Sequence, residues 1–200
     1  MWERGEGERP ARRALALLPS IDAQESVGTR DAALLALREQ LFGSTFAGVT
    51  SCPVCAEEIE LEFDASEVRR GPSRGTDASF RLPTTADLAA IEDLDDVAEA
   101  RRRLFERCVL DASIPEETIV QRMAECDPQA DVQIEVSCPA CEHRWREPFD
   151  IAQFLWTEVS VFARRLLGDV HDLARAYGWS ERDILSLSPA RRAAYLELVR

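Results

Sequence analysis

The chain has 200 residues, of which 46% are hydrophobic and 30% are charged, and its formal net charge is −13 at pH 7. This composition is typical of a globular protein with an apolar core. The negative charge disfavours binding to duplex nucleic acid, because neutralising its phosphates requires clustered positive charge.

The sequence contains no apolar run near the ~20 residues that a membrane-spanning helix requires. The first ten residues carry charges of both signs, and the apolar stretch at 14–18 is shorter than the core of a secretory signal. We therefore expect a cytoplasmic protein in which cysteines stay reduced.

The N-terminal segment, residues 1–30, mixes glycine, proline, glutamate and arginine around that short apolar stretch, and this composition predicts a flexible arm. Residues 31–200 are expected to form one domain. It begins with a helix from about Ala32 to Phe42, which Gly43 ends.

Two separate segments, 44–65 and 131–150, have the alternation of apolar and polar residues that is typical of half-buried strands. In the first segment Ile59, Leu61 and Phe63 alternate with glutamates. In the second, three apolar residues alternate with polar ones before a cysteine pair, and Trp145 and Phe149 continue the alternation beyond it. Each segment is therefore expected to form a β-hairpin.

The region between the hairpins is predicted to be an exposed loop over 66–79 and then a largely helical insert over 84–127. Helices are expected at about 85–92, 95–109 and 115–126, with Pro115 at the start of the last. Residues 86–127 contain 12 acidic side chains and 5 arginines, which indicates a solvated acidic surface.

Helices are also predicted for residues 151–200 after the second hairpin. Asp150 is a suitable cap for the longest, about 151–167, and Gly168 is expected to interrupt it. The fold class is therefore α+β, a pair of β-hairpins with a largely helical insert and a helical C-terminal region.

Each hairpin segment contains the same phrase, Ser-Cys-Pro-x-Cys followed eight residues later by Phe-Asp, and the two copies are offset by 86 positions. Each copy supplies two thiolates, whereas a closed structural zinc site requires four ligands. The spacing therefore predicts one structural Zn²⁺ bound by both copies together, with iron in the same geometry as the alternative. The predicted metal ligands are Cys52, Cys55, Cys138 and Cys141, and this site makes the predicted pair of hairpins zinc-ribbon-like.

The energetics permit a metal site shared by such distant segments. Closing the loop of 82 residues between Cys55 and Cys138 costs on the order of 4 kcal/mol beyond a constant. Structural zinc supplies roughly 10–16 kcal/mol, so its binding outweighs this cost.

Other uses of the cysteines fit the sequence less well. A thioredoxin-like redox site needs one Cys-x-x-Cys in a βαβ unit rather than two in hairpins. Glu142 separates Cys141 from His143, so the haem attachment motif is not formed, and His143 is expected beside the metal or on the surface. Cys108 and Cys126 lie on predicted helices and are interpreted as buried, inert thiols.

Catalytic residues are not evident, since the two histidines, His143 and His171, offer few candidates for acid–base chemistry. A zinc coordinated by four thiolates has no open position for a substrate. The sequence therefore predicts a protein that is not an enzyme.

The C-terminal third resembles the T4-type baseplate hub assembly chaperones of contractile phage tails and related phage-derived injection systems. The resemblance is best over about 138–200, weaker at the first cysteine pair and at residues 30–35, and poor over 66–130. Its most specific parts are Tyr177-Gly178-Trp179-Ser180 and Arg191-Arg192-Ala193-Ala194-Tyr195-Leu196. It implies a non-enzymatic assembly factor or component in the cytoplasm of a bacterial cell, free or associated with a particle, whose partners are baseplate or hub proteins.

The alternative hypothesis is a zinc-ribbon regulatory module that binds nucleic acid or the transcription machinery. Five acidic residues beside the first cysteine pair, within 57–64, disfavour direct contact with phosphates.

Overall fold

The computed structural model describes residues 1–74 and 77–199. It separates into two compact units, one of Met1 and Glu3–Leu155 and one of Trp2 and the residues from Trp156 onward. We expected 31–200 to form a single domain, whereas the boundary between the units falls just inside the first C-terminal helix.

Two antiparallel hairpins form the β structure of the larger unit. Strands β1 (Thr45–Ser51) and β2 (Glu58–Asp64) pair in the first hairpin. Strands β3 (Gln133–Ser137) and β4 (Arg144–Pro148) pair in the second. Each sheet has two strands, and helices account for most of the other regular structure, so the predicted α+β class is confirmed.

Four phenylalanines join the two hairpins through their apolar faces. Phe46 on β1 is fully buried and stacks on its cross-strand neighbour Phe63 with ring centroids 5.2 Å apart. Phe149, which follows β4, meets both rings edge-on at 5.4 Å. Phe154, at the start of the following helix, lies 5.1 Å from Phe46. The hairpins and this helix therefore share an aromatic core.

The first thirty residues differ from the flexible arm that their composition predicted. They form α1 (Trp2–Gly5), α2 (Pro10–Leu17) and the start of α3 (Val27–Phe42). Ala11, Ala14 and Leu17 recur every third residue and are buried, the last two completely. One face of α2 is therefore apolar, and its burial holds the segment in place.

Helix α3 begins five residues earlier than the sequence predicted. The Ser26 hydroxyl caps it by accepting a hydrogen bond from the backbone N–H of Thr29. The N–H of Gly28 donates to the buried carboxylate of Asp127 at 2.9 Å. A Cβ at residue 28 would lie only 1.9 Å from that carboxylate, so glycine allows this close approach.

The predicted insert contains α5 (Thr85–Ala89), α6 (Val97–Cys108) and α7 (Glu116–Cys126), each within a few residues of the sequence prediction. A short 3₁₀ helix follows at Pro128–Ala130. Phe80, Leu82 and Ile119 form the buried centre of the core against which the insert helices pack. The loop predicted over 66–79 begins inside α4 (Ala65–Val68), and its residues Gly75 and Thr76 lie outside the described part of the chain.

A buried aspartate organises this helical insert. Asp87 is 1% exposed and accepts hydrogen bonds from Arg81 at 2.8 Å, from Arg107 at 2.9 Å and from the Thr84 hydroxyl at 2.9 Å. Burial disfavours its ionisation, but these bonds outweigh burial and hold the pKa of Asp87 well below its usual range. A single ionised carboxylate thus ties α5 to the end of α6.

The smaller unit is built from α8 (Ile151–Tyr177), α9 (Glu181–Ser186) and α10 (Pro189–Val199). Its core is centred on Leu173, Ile184 and Leu196. Helix α8 continues through Gly168, where we expected an interruption; a glycine inside a helix costs only ~1 kcal/mol relative to alanine. Among the described helices, none has the length and apolar character needed to cross a bilayer.

Candidate metal centre

The two cysteine phrases fold into matching turns. In the first, the N–H of Cys52 donates to the carbonyl of Glu57 at 2.8 Å and the N–H of Ala56 to the carbonyl of Cys52 at 2.9 Å. Ala56, directly after the second cysteine, adopts a left-handed conformation with φ of 60°.

The second turn repeats this pattern at the equivalent positions. The N–H of Cys138 donates to the carbonyl of His143 at 2.8 Å, the N–H of Glu142 to the carbonyl of Cys138 at 3.0 Å, and Glu142 has φ of 59°. Equal sequence spacing has therefore produced equal backbone geometry, which presents both sulfurs of each pair on one side of its turn.

These turns bring all four predicted ligands together. The sulfur of Cys52 lies 3.6 Å from that of Cys141, and the sulfur of Cys55 lies 3.5 Å from that of Cys138. All four lie within 4.8 Å of one another. A tetrahedron with Zn–S bonds of about 2.3 Å has S···S edges of about 3.8 Å, whereas a disulfide needs about 2.05 Å. The spacing fits a metal site.

The two hairpins are related at the cluster by an approximate two-fold exchange. Exchanging Cys52 with Cys138 and Cys55 with Cys141 converts one short S···S contact into the other. It also preserves burial, since the first cysteine of each pair is buried and the second is exposed. The prediction of two similar hairpins joined about one point is confirmed at the cysteines.

The polarity around Cys52 favours its ionised form. Burial raises the pKa of this thiol, but the backbone N–H groups of Cys55 and Val54 outweigh burial and lower the pKa to about 7. Backbone donors that point at a sulfur are therefore already in place to support a metal-bound thiolate.

At Cys55 and Cys141, neighbouring sulfurs oppose ionisation of the thiol. The backbone N–H of Glu57 favours the thiolate of Cys55, yet the adjacent sulfurs of Cys138 and Cys141 raise its pKa to about 12. The N–H of His143 favours the thiolate of Cys141, but burial and the Cys138 sulfur raise its pKa overall. Four thiolates this close require a cation among them, and a bound divalent ion supplies that charge.

The remaining candidate residues lie away from the sulfur cluster. The ring of His143 stacks on Trp145 with centroids 5.9 Å apart. Cys108 is buried, and burial raises its pKa to about 11, as an inert core thiol requires. Cys126 packs half-buried against the core of the insert.

One contact beside the centre was not evident from the sequence. The carboxylate of Glu147 on β4 accepts a hydrogen bond from the indole N–H of Trp145 at 2.8 Å and from the Thr50 hydroxyl on β1 at 3.2 Å. It therefore links the hairpins independently of the sulfurs. In the sequence, Glu147 was marked only by its place in the alternating pattern of β4, on the same face as Trp145.

One of the outward charges of the second hairpin is paired within that hairpin. Arg144 and Arg146 are exposed on β4. The ion pair formed by Arg146 joins it to its cross-strand neighbour Glu135 at 3.7 Å, not to the glutamates of β2.

Chemically, the cluster offers four sulfur ligands at tetrahedral spacing, with two of the cysteines buried. Such a set satisfies the coordination of a metal ion and supports structure. No family model, curated protein or solved structure matches this chain. The geometry of the chain shows an α+β protein with a zinc-ribbon-like pair of hairpins and a four-cysteine site able to hold a metal ion.

Proposed function

We propose that the chain binds one structural Zn²⁺ through Cys52, Cys55, Cys138 and Cys141 and acts as a non-enzymatic assembly factor or component for the baseplate hub of a contractile tail. The observation that carries the metal part is the convergence of four sulfurs from segments more than 80 residues apart. Zinc suits four thiolates in a tetrahedral array, and iron is the competing ion.

We propose a role without catalysis at the metal because of this ligand set. Four cysteines complete the tetrahedral coordination, so a bound ion has no position left for a substrate or an activated water. The metal would instead fix the two hairpins against each other, and the rest of the protein would present surfaces to partners.

The assembly role is supported by the smaller unit, which contains most of the residues that resemble the chaperone family. Its two most specific stretches meet in space. Trp179 stacks on Tyr177 at 4.6 Å and packs edge-on against Tyr195 at 4.9 Å. Gly178 between them ends α8 with φ of 69°. Aromatic side chains grouped in this way are common anchors of protein interfaces.

Deletion of the gene from a strain that produces contractile particles tests the assembly role. We expect particle preparations from the deletion strain to lack complete baseplates by electron microscopy, and expression of the wild-type chain to restore them. The Cys138→Ser variant should restore few, because its hairpins are not stapled. Normal numbers of complete particles in the deletion strain would contradict the proposal.

A fluorescence anisotropy titration with labelled duplex DNA and RNA at low salt tests the alternative, a nucleic-acid-binding regulator. We expect no appreciable binding by a protein of net charge −13. Micromolar affinity that weakens steeply with salt would favour the regulator over the assembly factor.

A further inference from the structure

An uncovered apolar cavity lies between two helices of the insert. It has a volume of about 380 Å³ and is lined by one face each of α6 and α7. On α6 the lining includes Leu104, Phe105 and Cys108, which are neighbours on one helix face. On α7 it includes Val120 and Met123. We refer to it as the α6–α7 cavity.

The lining of this cavity is apolar although it is open to solvent. Val120 is 40% exposed, and Phe105 and Met123 are half-buried. At the rim, Arg101 of α6 reaches Glu116 of α7 at 3.4 Å, with both side chains largely exposed. An exposed pair of this kind is weak and easily displaced.

A second cavity of about 360 Å³ adjoins the first and shares four lining residues with it, Pro83, Leu104, Ala130 and Asp131. Its polar lining is dominated by aspartates, Asp31, Asp131 and Asp150, with Arg30 as the cation. We refer to it as the aspartate cavity. The two cavities are neighbours that meet at these shared residues, and we refer to them together as the groove.

The charges of this groove do not balance. The guanidinium of Arg30 is bound to Asp31 at 2.7 Å, and Arg101 is paired with Glu116. The lining of the two cavities then retains three further carboxylates, those of Asp127, Asp131 and Asp150. Asp127 is buried and bound to Gly28, so Asp131 and Asp150 carry the accessible excess of negative charge.

We propose that this groove docks a helical segment of a partner protein, with apolar side chains in the α6–α7 cavity and an arginine or lysine at Asp131 and Asp150. Each of these carboxylates is exposed and has a second oxygen besides the one bound to Gln133 or to the N–H of Gln153. A basic side chain can therefore bind either aspartate from solvent without entering the core.

A helix is the occupant that fits the shape and the lining. Amphipathic helices seat residues spaced at i, i+3, i+4 and i+7 in apolar grooves of this kind. Met123 on the floor suits such an occupant, since a methionine side chain adapts to irregular surfaces. The carboxylates then select helices that carry positive charge, because a like charge placed there would be repelled.

The test selects peptides from a displayed random-sequence library for binding to the purified, metal-loaded full-length protein. Anisotropy titrations then measure the affinity of the enriched peptides. We expect these peptides to combine apolar residues at helical spacing with at least one arginine or lysine. Binding should weaken by about tenfold or more with Val120→Glu and with Asp131→Lys. Both positions are exposed, and circular dichroism confirms that the variants are folded.

Matched controls separate the groove from general charge effects. Val97→Glu and Asp95→Lys make the same changes at exposed positions outside both cavities, and affinity should stay within about twofold of wild type. Three results would overturn the proposal: no enrichment of any peptide, enrichment of acidic peptides, or peptides that the groove and control variants affect equally. None of these results bears on the metal site or on particle assembly.

Discussion

The hairpin pair and the helical insert of the larger unit are held together in different ways. The hairpins have strands of only seven and five residues, and two-stranded sheets of this size are marginal on their own. The insert has its own apolar centre at Phe80, Leu82 and Ile119 and a buried charge network around Asp87. We therefore expect a bound metal to stabilise the short strands, whereas the three helices can rely on packing.

The order of the segments adds to this contrast. The insert lies between the two cysteine pairs, so a metal bound by all four cysteines would close a loop that contains a separately packed region. Loss of the metal is therefore expected to release the hairpins first, and the predictions below test how far the two regions depend on each other.

Loss of one metal ligand should have the largest effect. We expect Cys138→Ser to lower the metal content and to unfold the hairpins, because structural zinc contributes roughly 10–16 kcal/mol, comparable to or greater than the stability of a typical domain. Hydrogen exchange should show lost protection in β1–β4 and retained protection in α6 and α7.

Cys126→Ser is the matched control, since this thiol lies outside the cluster, in the core of the insert. It should keep the full metal content. Equal loss of protection in both regions of Cys138→Ser would show that the insert also depends on the metal.

Removal of the buried carboxylate should affect the insert instead. Asp87→Ala leaves Arg81 and Arg107 without their shared partner, and we expect a loss of about 3 kcal/mol in the free energy of unfolding, with metal content unchanged. Urea denaturation measures the loss. The control is Asp111→Ala, an exposed aspartate whose carboxylate accepts hydrogen bonds from Ser113 in its own loop, and a similar loss there would contradict the role assigned to Asp87.

A pH-dependent contribution is expected from Asp31, which is 8% exposed. Burial raises its pKa to about 6 from 3.8, despite the ion pair with Arg30. Between these two values the folded protein binds more protons than the unfolded chain, so this group lowers stability as pH rises from about 4 to 6.

Asp31→Asn removes that titration. Its stability relative to wild type should increase by up to about 3 kcal/mol as pH rises through this window, measured as the difference between the two unfolding free energies at each pH. Metal loss at low pH affects both proteins and cancels in the difference. A difference that stays constant or reverses with pH would contradict the assignment.

The smallest effect is expected at the exposed ion pair of the second hairpin. Arg146 and Glu135 have side chains that are 72% and 84% exposed and lie 3.7 Å apart. A double-mutant cycle with Arg146→Ala and Glu135→Ala should give a coupling of no more than ~1 kcal/mol, which salt reduces. A larger coupling would mean that surface charge, and not only the metal and core, holds the hairpin together.

The four-cysteine site could be predicted from the sequence because a short stretch of chain specifies each half of it. A Cys-Pro-x-Cys turn has the same geometry wherever it occurs, and two turns with equal spacing imply one site. Helix positions in the insert were also predictable, since Pro115 and the apolar spacing mark them.

Features that depend on tertiary contacts were not predictable. The segment 1–30 was expected to be an arm because its composition is polar, yet three buried apolar residues on one face of α2 hold it in place. The start of α3 depends on the pairing of Gly28 with Asp127, 99 residues away. The spacing of Thr84 and Asp87 in the sequence indicates the capping box that belongs to the buried charge network. The sequence gives no sign that two arginines also bind Asp87.

X-ray absorption spectroscopy of the purified protein tests the central claim most directly. We predict a zinc edge with about one equivalent of metal per chain and four sulfur neighbours at about 2.3 Å. An iron edge with the same four sulfurs would change the ion and leave the site intact. Absence of metal, or a first shell dominated by nitrogen or oxygen, would contradict the four-cysteine centre on which this account depends.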